Sequence, residues 1–161
     1  MRKKSAPSCD WDSPRGGGSK RSDAGKKPPA SRARVMRHRA DFSWSGVATR
    51  RYKLEDGTWA GVLRRTLVGE KGEGTKFHLR YFEVAPGGHT TLERHRHEHV
   101  VVCIRGRGRC RVRGRSHDLG FLDTIYIPPE APHRLSNPFG EPFGFFCLVD
   151  AERDRPRPAG R

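Results

Sequence analysis

The chain predicts an all-β fold, a small barrel or a two-sheet jelly roll, and three observations carry that expectation. From residue 41 onward it runs as short strand-like segments separated by Gly, Pro, Asn and Asp turns. No stretch holds the 3.6-residue apolar period of a helix. One segment alternates Arg105, Arg107, Arg109, Arg111, Arg113 and Arg115 with Gly106, Gly108, Cys110, Val112 and Gly114, the period of a strand with one wet face.

A first strand is expected over residues 47 to 54, ended by Glu55-Asp56-Gly57, and a second over 61 to 68, ended by the glycine-rich stretch from Gly69 to Gly74. Residues 75 to 85 make the third, with Pro86-Gly87-Gly88 as its turn. A short run at 92 to 95 leads into 99 to 105, which holds Val100, Val101, Val102, Cys103 and Ile104. The turn from Gly106 to Gly108 starts residues 108 to 113, and Gly114 separates them from 115 to 119. Residues 122 to 127 stop at Pro128-Pro129, and the strands at 132 to 136 and 142 to 149 flank a turn from Asn137 to Pro142.

With 161 residues, 33% hydrophobic and 32% charged, the chain suits one soluble domain, and no apolar run reaches the length of a membrane span. Arg2, Lys3 and Lys4 are followed by Ser, Pro, Gly and Lys rather than an apolar stretch, so no signal peptide is expected and the protein reads as cytoplasmic. The net charge is +15, but residues 1 to 40 hold 12 Lys and Arg against 3 Asp, a balance of +9 that leaves +6 for the other 121 residues. That tail, rich in Ser, Pro and Gly, cannot bury enough apolar surface to order itself and is expected to be disordered over residues 1 to 40. It is either a solubilising extension or an arm that binds polyanions such as nucleic acid. The end of the chain, residues 151 to 161, is likewise expected to fray. The arginine stripe reads as a solvated outer face, because no interleaved aromatics accompany it. Cys9, Cys103, Cys110 and Cys147 show no CxxC spacing and read as reduced, largely buried thiols.

The chemistry concentrates in PGGHTTLERHRHEHVVVCIRG, residues 86 to 106, where Glu93, His95, His97 and His99 fall on alternate positions. An extended strand sends every second side chain to one face, which would gather one carboxylate and three imidazoles. An isolated His-x-His is often only a polar strand edge, but here the apolar run from Val100 follows at once. The histidines therefore sit at the mouth of a buried strand. A second stretch, LDTIYIPPEAPHRLSN, residues 122 to 137, carries Pro128, His133 and Asn137.

In these two stretches the chain resembles the cupin superfamily, small double-stranded β-helix (jelly-roll) barrels, in its small single-domain, metal-binding, conserved-barrel type. The likeness covers residues 75 to 150, with weaker support back to 41, so that 41 to 150 is expected to be the barrel. The first cupin motif is glycine, five residues, His-x-His, three or four residues, Glu, six residues, glycine. Aligned on Gly87 and Gly106, Glu93 takes the first His position, His95 the second, and His99 the Glu position. The second motif supplies His133 as the remaining ligand, while Leu122 and Glu130 stand where the family carries glycines. A cupin also turns the chain between its second and third ligand positions, which leaves His97 in or near a turn. The resemblance thus implies Glu93, His95, His99 and His133 as metal ligands, with His97 in reserve to replace Glu93 if the strand runs straight.

The resemblance implies one divalent transition metal, Fe(II), Mn(II), Zn(II), Ni(II) or Cu(II), since imidazole and carboxylate ligation does not choose among them. Arg80 is a candidate for pairing a substrate carboxylate, or else lies at the rim with its stem packed. Phe145 and Cys147 share a face of the last strand with Phe143, opposite Phe146 and Leu148, and whichever set points inward lines the pocket. His78, His89 and His117 read as surface histidines. The expected function is a small-molecule metalloenzyme, dioxygenase-like or isomerase-like. The alternative is a non-catalytic cupin that binds a ligand or metal, with the basic tail touching nucleic acid. Cupins pair through edge strands, so a homodimer is also implied.

Overall fold

A computed structural model describes residues 32–53, 57–153 and 157–159. Among them there is no helix, and eleven strands form one antiparallel, nearly closed barrel. They are β1 (Arg50–Arg51), β2 (Ala60–Val68), β3 (Phe77–His89), β4 (Glu93–Arg94), β5 (His99–Arg105), β6 (Gly108–Val112), β7 (Arg115–Leu119), β8 (Thr124–Ile127), β9 (His133–Ser136), β10 (Phe143–Asp150) and β11 (Arg157–Pro158). The main path is β11-β4-β9-β3-β10-β5-β8, with β2 and β1 extending from β3, and β6 and β7 from β9.

Period-two alternation decides which side chains fill the barrel. From β10, Phe143, Phe145, Cys147 and Val149 point inward and join Phe82, Val84, Val101, Cys103 and Ile127 in the core, which settles the question left open for the last strand. Phe146 points outward, where it packs with Tyr81, Leu67 and Trp44 in a second cluster on the outer face of the sheet.

Several boundaries differ from the expected ones. The first strand shrinks from 47–54 to Arg50–Arg51, since only those residues pair with Leu63 and Arg64. The third does not stop at Pro86 but continues to His89, so Pro86-Gly87-Gly88 is a kink within a strand rather than a turn between two. Gly87 makes the kink with φ of 76°, where a side chain would be strained. There β3 exchanges β10 for β9 along one edge while β2 stays paired along the other: the Gly87 N–H donates to the Asn137 carbonyl (2.8 Å) and the Asn137 N–H to the Gly88 carbonyl (2.9 Å). The turns that lack the family glycines keep a glycine-like backbone nonetheless, because Leu122 and Glu130 both have positive φ, 68° and 58°. For a non-glycine residue that conformation costs about 1 kcal/mol or more.

The ends carry more structure than composition suggests. The tail expected to be disordered over residues 1 to 40 lies outside the described residues up to position 31. Beyond it the chain is tied down: Arg34 pairs with Glu73, His38 bridges to Trp44, and Trp44, only 7% exposed, packs against Tyr81. Trp44 and Phe42 cover apolar surface on the outer sheet, a tertiary contact that local composition cannot reveal. At the other end, within the segment expected to fray, β11 pairs with β4, placing Pro158 opposite Glu93.

Candidate metal centre

Strand pairing brings together residues that lie 40 positions apart. Glu93 of β4 stands opposite His133 of β9, and His99 opens β5 next to Ile127 of β8. Between Arg94 and His99 the chain leaves the strand and bends at 96–97. The straight-strand expectation for Glu93, His95, His97 and His99 is therefore replaced by a turn, the course implied by the cupin resemblance. The His95 Nδ1 meets the His97 carbonyl at 2.8 Å and closes the bend.

The result is a cluster of imidazoles. His95, 2% exposed, places its Nε2 2.7 Å from Nε2 of His99. The His133 ring lies 4.9 Å from the His95 ring and 5.1 Å from that of His99, centroid to centroid. Glu93, His95 and His133 offer ligand atoms within 4.8 Å of one another, and so do His95, His97 and His99. His97 stacks flat on His95 at 3.6 Å, but it opens onto a separate hollow of about 440 Å³ beside Phe77 and Leu148 rather than into the barrel.

The donor set fits a metal ion. His133 directs Nδ1 at the Ala131 carbonyl (2.9 Å), and His95 directs Nδ1 at the His97 carbonyl. A carbonyl only accepts, so each Nδ1 carries the proton and each Nε2 keeps its lone pair for the shared space, the usual arrangement behind metal-bound histidine. Burial holds the pKa of His99 well below the ordinary value, and neighbouring His133 and His95 push the same way. Burial lowers His133 too. Neutral imidazoles are what a metal requires.

A cavity of about 240 Å³ opens beside this cluster, lined by Glu93, His99 and His133 and by Arg80, Phe82, Phe145 and Cys147. The Cys147 Sγ lies 3.0 Å from His99 Nδ1 and accepts from the Arg80 guanidinium at 3.4 Å. Burial raises the thiol's pKa, and Arg80 opposes that rise. The Phe82 and Phe145 rings stack at 5.4 Å and form an apolar wall.

A family profile described as "Cupin domain" matches residues 80–149. Over 119 residues, 73% of this chain and 75% of the other, the sequence is 40% identical to the 1-methylthio-D-xylulose 5-phosphate methylsulfurylase of Rhodospirillum rubrum. The chain belongs to the cupin superfamily. Among solved structures, the cupin resembles a cupin 2 conserved barrel domain protein from Rhodopseudomonas palustris, with a TM-score of 0.73 and 36% identity over 79% of this chain and 87% of that one. It also resembles a cupin-2 domain from Rhodospirillum rubrum, with a TM-score of 0.68 and 38% identity over 84% of each.

In this cupin, all three residues singled out for substrate contact, Arg80, Phe145 and Cys147, line the cavity. Sequence reasoning missed Tyr52, Lys53, Arg64 and Arg153, which line it as well. Lys53 ion-pairs with Glu93, and the Tyr52 hydroxyl donates to the same carboxylate at 3.4 Å. Arg64 was legible in principle, because it shares a strand face with the buried Val62. Lys53 and Arg153 come from a strand end and a presumed tail, where no periodicity marks a side chain as inward. Among the described residues no helix is long and apolar enough to cross a membrane.

Proposed function

We propose that this cupin is a metal-dependent enzyme that transfers the methylthio group of a small phosphorylated ketose, the kind of substrate named for its Rhodospirillum rubrum relative. The observation that carries this reading is the position of Cys147: a thiol in the cavity wall, 3.0 Å from a candidate metal ligand. The Cys147 thiolate would attack the methylthio sulfur and form an S–S bond as the carbon–sulfur bond breaks, and the ketose carbon leaves as an enolate that takes up a proton to give the deoxyketose. A free thiol then displaces the methylthio group as a mixed disulfide and restores the Cys147 thiolate. That chemistry, rather than oxygenation of an enol or diketone, suits the residues present.

Glu93, His95, His99 and His133 would hold one divalent first-row ion, which supplies Lewis acidity toward a substrate carbonyl. If His99 held the ion through Nε2, its Nδ1–H would be left to donate a hydrogen bond to the Cys147 sulfur, 3.0 Å away. Arg80 donates to the same atom. These two donors favour the thiolate form that burial resists, and the thiolate is the reactive species. Phe82 and Phe145 keep water from the reacting sulfur.

The test uses full-length protein purified anaerobically, assayed for metal by elemental analysis and for turnover of 1-methylthio-D-xylulose 5-phosphate with a free thiol by phosphorus NMR. Stoichiometric metal, turnover, and a Cys147→Ser variant that keeps its metal but loses at least about 100-fold in rate are expected. A double His95→Ala, His133→Ala variant should lose the metal. Unchanged turnover in Cys147→Ser refutes the role of the thiol, and full activity in metal-free protein refutes the metal.

A further inference from the structure

The cavity wall carries more positive charge than its acidic residues balance. Lys53, Arg64, Arg80 and Arg153 line it, against Glu93 as the one carboxylate among the described residues there, and Glu93 is engaged by Lys53. Three guanidinium groups are left. Arg64 has Glu70 only at 3.9 Å, and that carboxylate is shared with Arg50 at 3.8 Å and with the Thr66 hydroxyl at 2.8 Å. Arg80 spends one N–H on the Cys147 sulfur, whose thiolate form would offset one of the three positive charges and leave two. Arg153 meets His78 Nδ1 at 3.1 Å and the Asp150 carbonyl at 3.3 Å, neither of them anionic.

Two of these groups are left with buried N–H atoms that bond to nothing: Nε of Arg64 and Nε of Arg80. An unsatisfied donor on a buried cation is costly, and such groups persist where a ligand completes them. The three arginines also act on one another. Burial depresses the pKa of Arg64 and of Arg153, and the charge of Arg80 presses both further down. Strand register explains why they meet: Arg80 stands opposite Thr66 and Cys147, and Arg64 stands opposite Phe82, which places Arg64 diagonally beside Arg80 on the inner face.

We propose that Arg64, Arg80 and Arg153 form the subsite for the phosphate monoester of the substrate. A phosphate monoester brings two negative charges and three terminal oxygens, enough to meet three guanidiniums. A carboxylate brings one charge and two oxygens and leaves the cluster undercompensated. The subsite has a fixed relation to the imidazoles, because Arg80 touches Cys147 and Cys147 touches His99. The phosphate end and the reacting end of the ligand are therefore separated by about one side chain, which selects a short sugar phosphate over a nucleotide or a long acyl chain. This assignment rests on reading the cavity as the substrate site, and it does not depend on which metal, if any, is bound.

The experiment is titration calorimetry of the full-length protein, as purified with its metal, using D-xylulose 5-phosphate and D-xylulose, which lack the methylthio group and do not turn over. The phosphate is expected to bind at least about 100-fold more tightly than the free sugar. Arg64→Gln and Arg153→Gln should each weaken it by about 10- to 100-fold, leaving D-xylulose affinity and metal content unchanged. Equal affinity for the two sugars, or variants that weaken both alike, overturns the assignment. If Arg64→Gln fails to fold, the half-buried Arg153 decides the matter alone. Loss of phosphate discrimination in protein that holds its metal counts against the arginine subsite only. Discrimination in protein without metal counts against the metal centre and leaves the subsite standing.

Discussion

Replacing Asn137 tests how the barrel is held shut beneath its cavity. The side chain is 1% exposed and makes three hydrogen bonds: Nδ2 donates to the Val84 carbonyl (2.9 Å) and to the Glu141 carbonyl (2.7 Å), and Oδ1 accepts from the Phe139 N–H (3.0 Å). Alanine removes all three. At about 1 kcal/mol for each bond the floor is about 3 kcal/mol, and the Val84 carbonyl, at a buried position, adds to it when left unpaired. A loss of about 3 to 5 kcal/mol is thus expected, a large share of a typical domain's stability. Aspartate separates hydrogen bonding from volume, since it fills nearly the same space but turns a carboxylate oxygen toward two carbonyls. Asn137→Asp is therefore expected to cost at least as much as Asn137→Ala. Equilibrium urea unfolding followed by tryptophan fluorescence measures both, provided the slope of the transition stays constant. An alanine cost below about 1 kcal/mol, or an aspartate variant that behaves like wild type, would refute the account.

Two other perturbations reach different parts of the barrel. Leu122, 63% exposed with φ of 68°, is strained in its turn, so Leu122→Gly is expected to be neutral to about 1 kcal/mol stabilising, although glycine also loosens the unfolded chain; a clear loss in urea unfolding would show that the side chain holds the turn. Burial pushes the Cys110 thiol up to about 12 from an ordinary 9.0. The unfolded chain then gives up this proton first as pH rises, so stability present below pH 9 is lost progressively between pH 9 and 12, and a Cys110→Ala variant should show a shallower decline in the same unfolding series.

The β content and the order of strands were readable because alternation and turn residues are local signals, and ten of the eleven strands have a counterpart in the expected list. The kink at Gly87 was read as a turn because a glycine with positive φ looks the same in sequence whether the chain reverses or only bends. Imidazoles 95, 99 and 133 and the carboxylate of Glu93 were recoverable from motif spacing, and their convergence follows from the Glu93–His133 register. The arginines were harder to see. In a chain with 33 Lys and Arg, a cation that turns inward carries no mark of its own, and only the burial of Val62 or the docking of the final residues exposes it.

The 13-residue β3 pairs with β2 along one edge and with β10 along the other, whereas Glu93 sits on a two-residue strand and His95 on none. Local opening is rarest where both edges of a strand are bonded and commonest where neither is. The two halves of the cavity thus differ in stiffness. The wall that carries Arg64, Arg80 and Cys147, together with His99 on doubly paired β5 and His133 on β9, is the stiffer part, and the segment that carries Glu93 and His95 is the one that opens more readily. A ligand seated against that wall meets strands bonded along both edges on one side and, on the other, the short segment that holds Glu93 and His95.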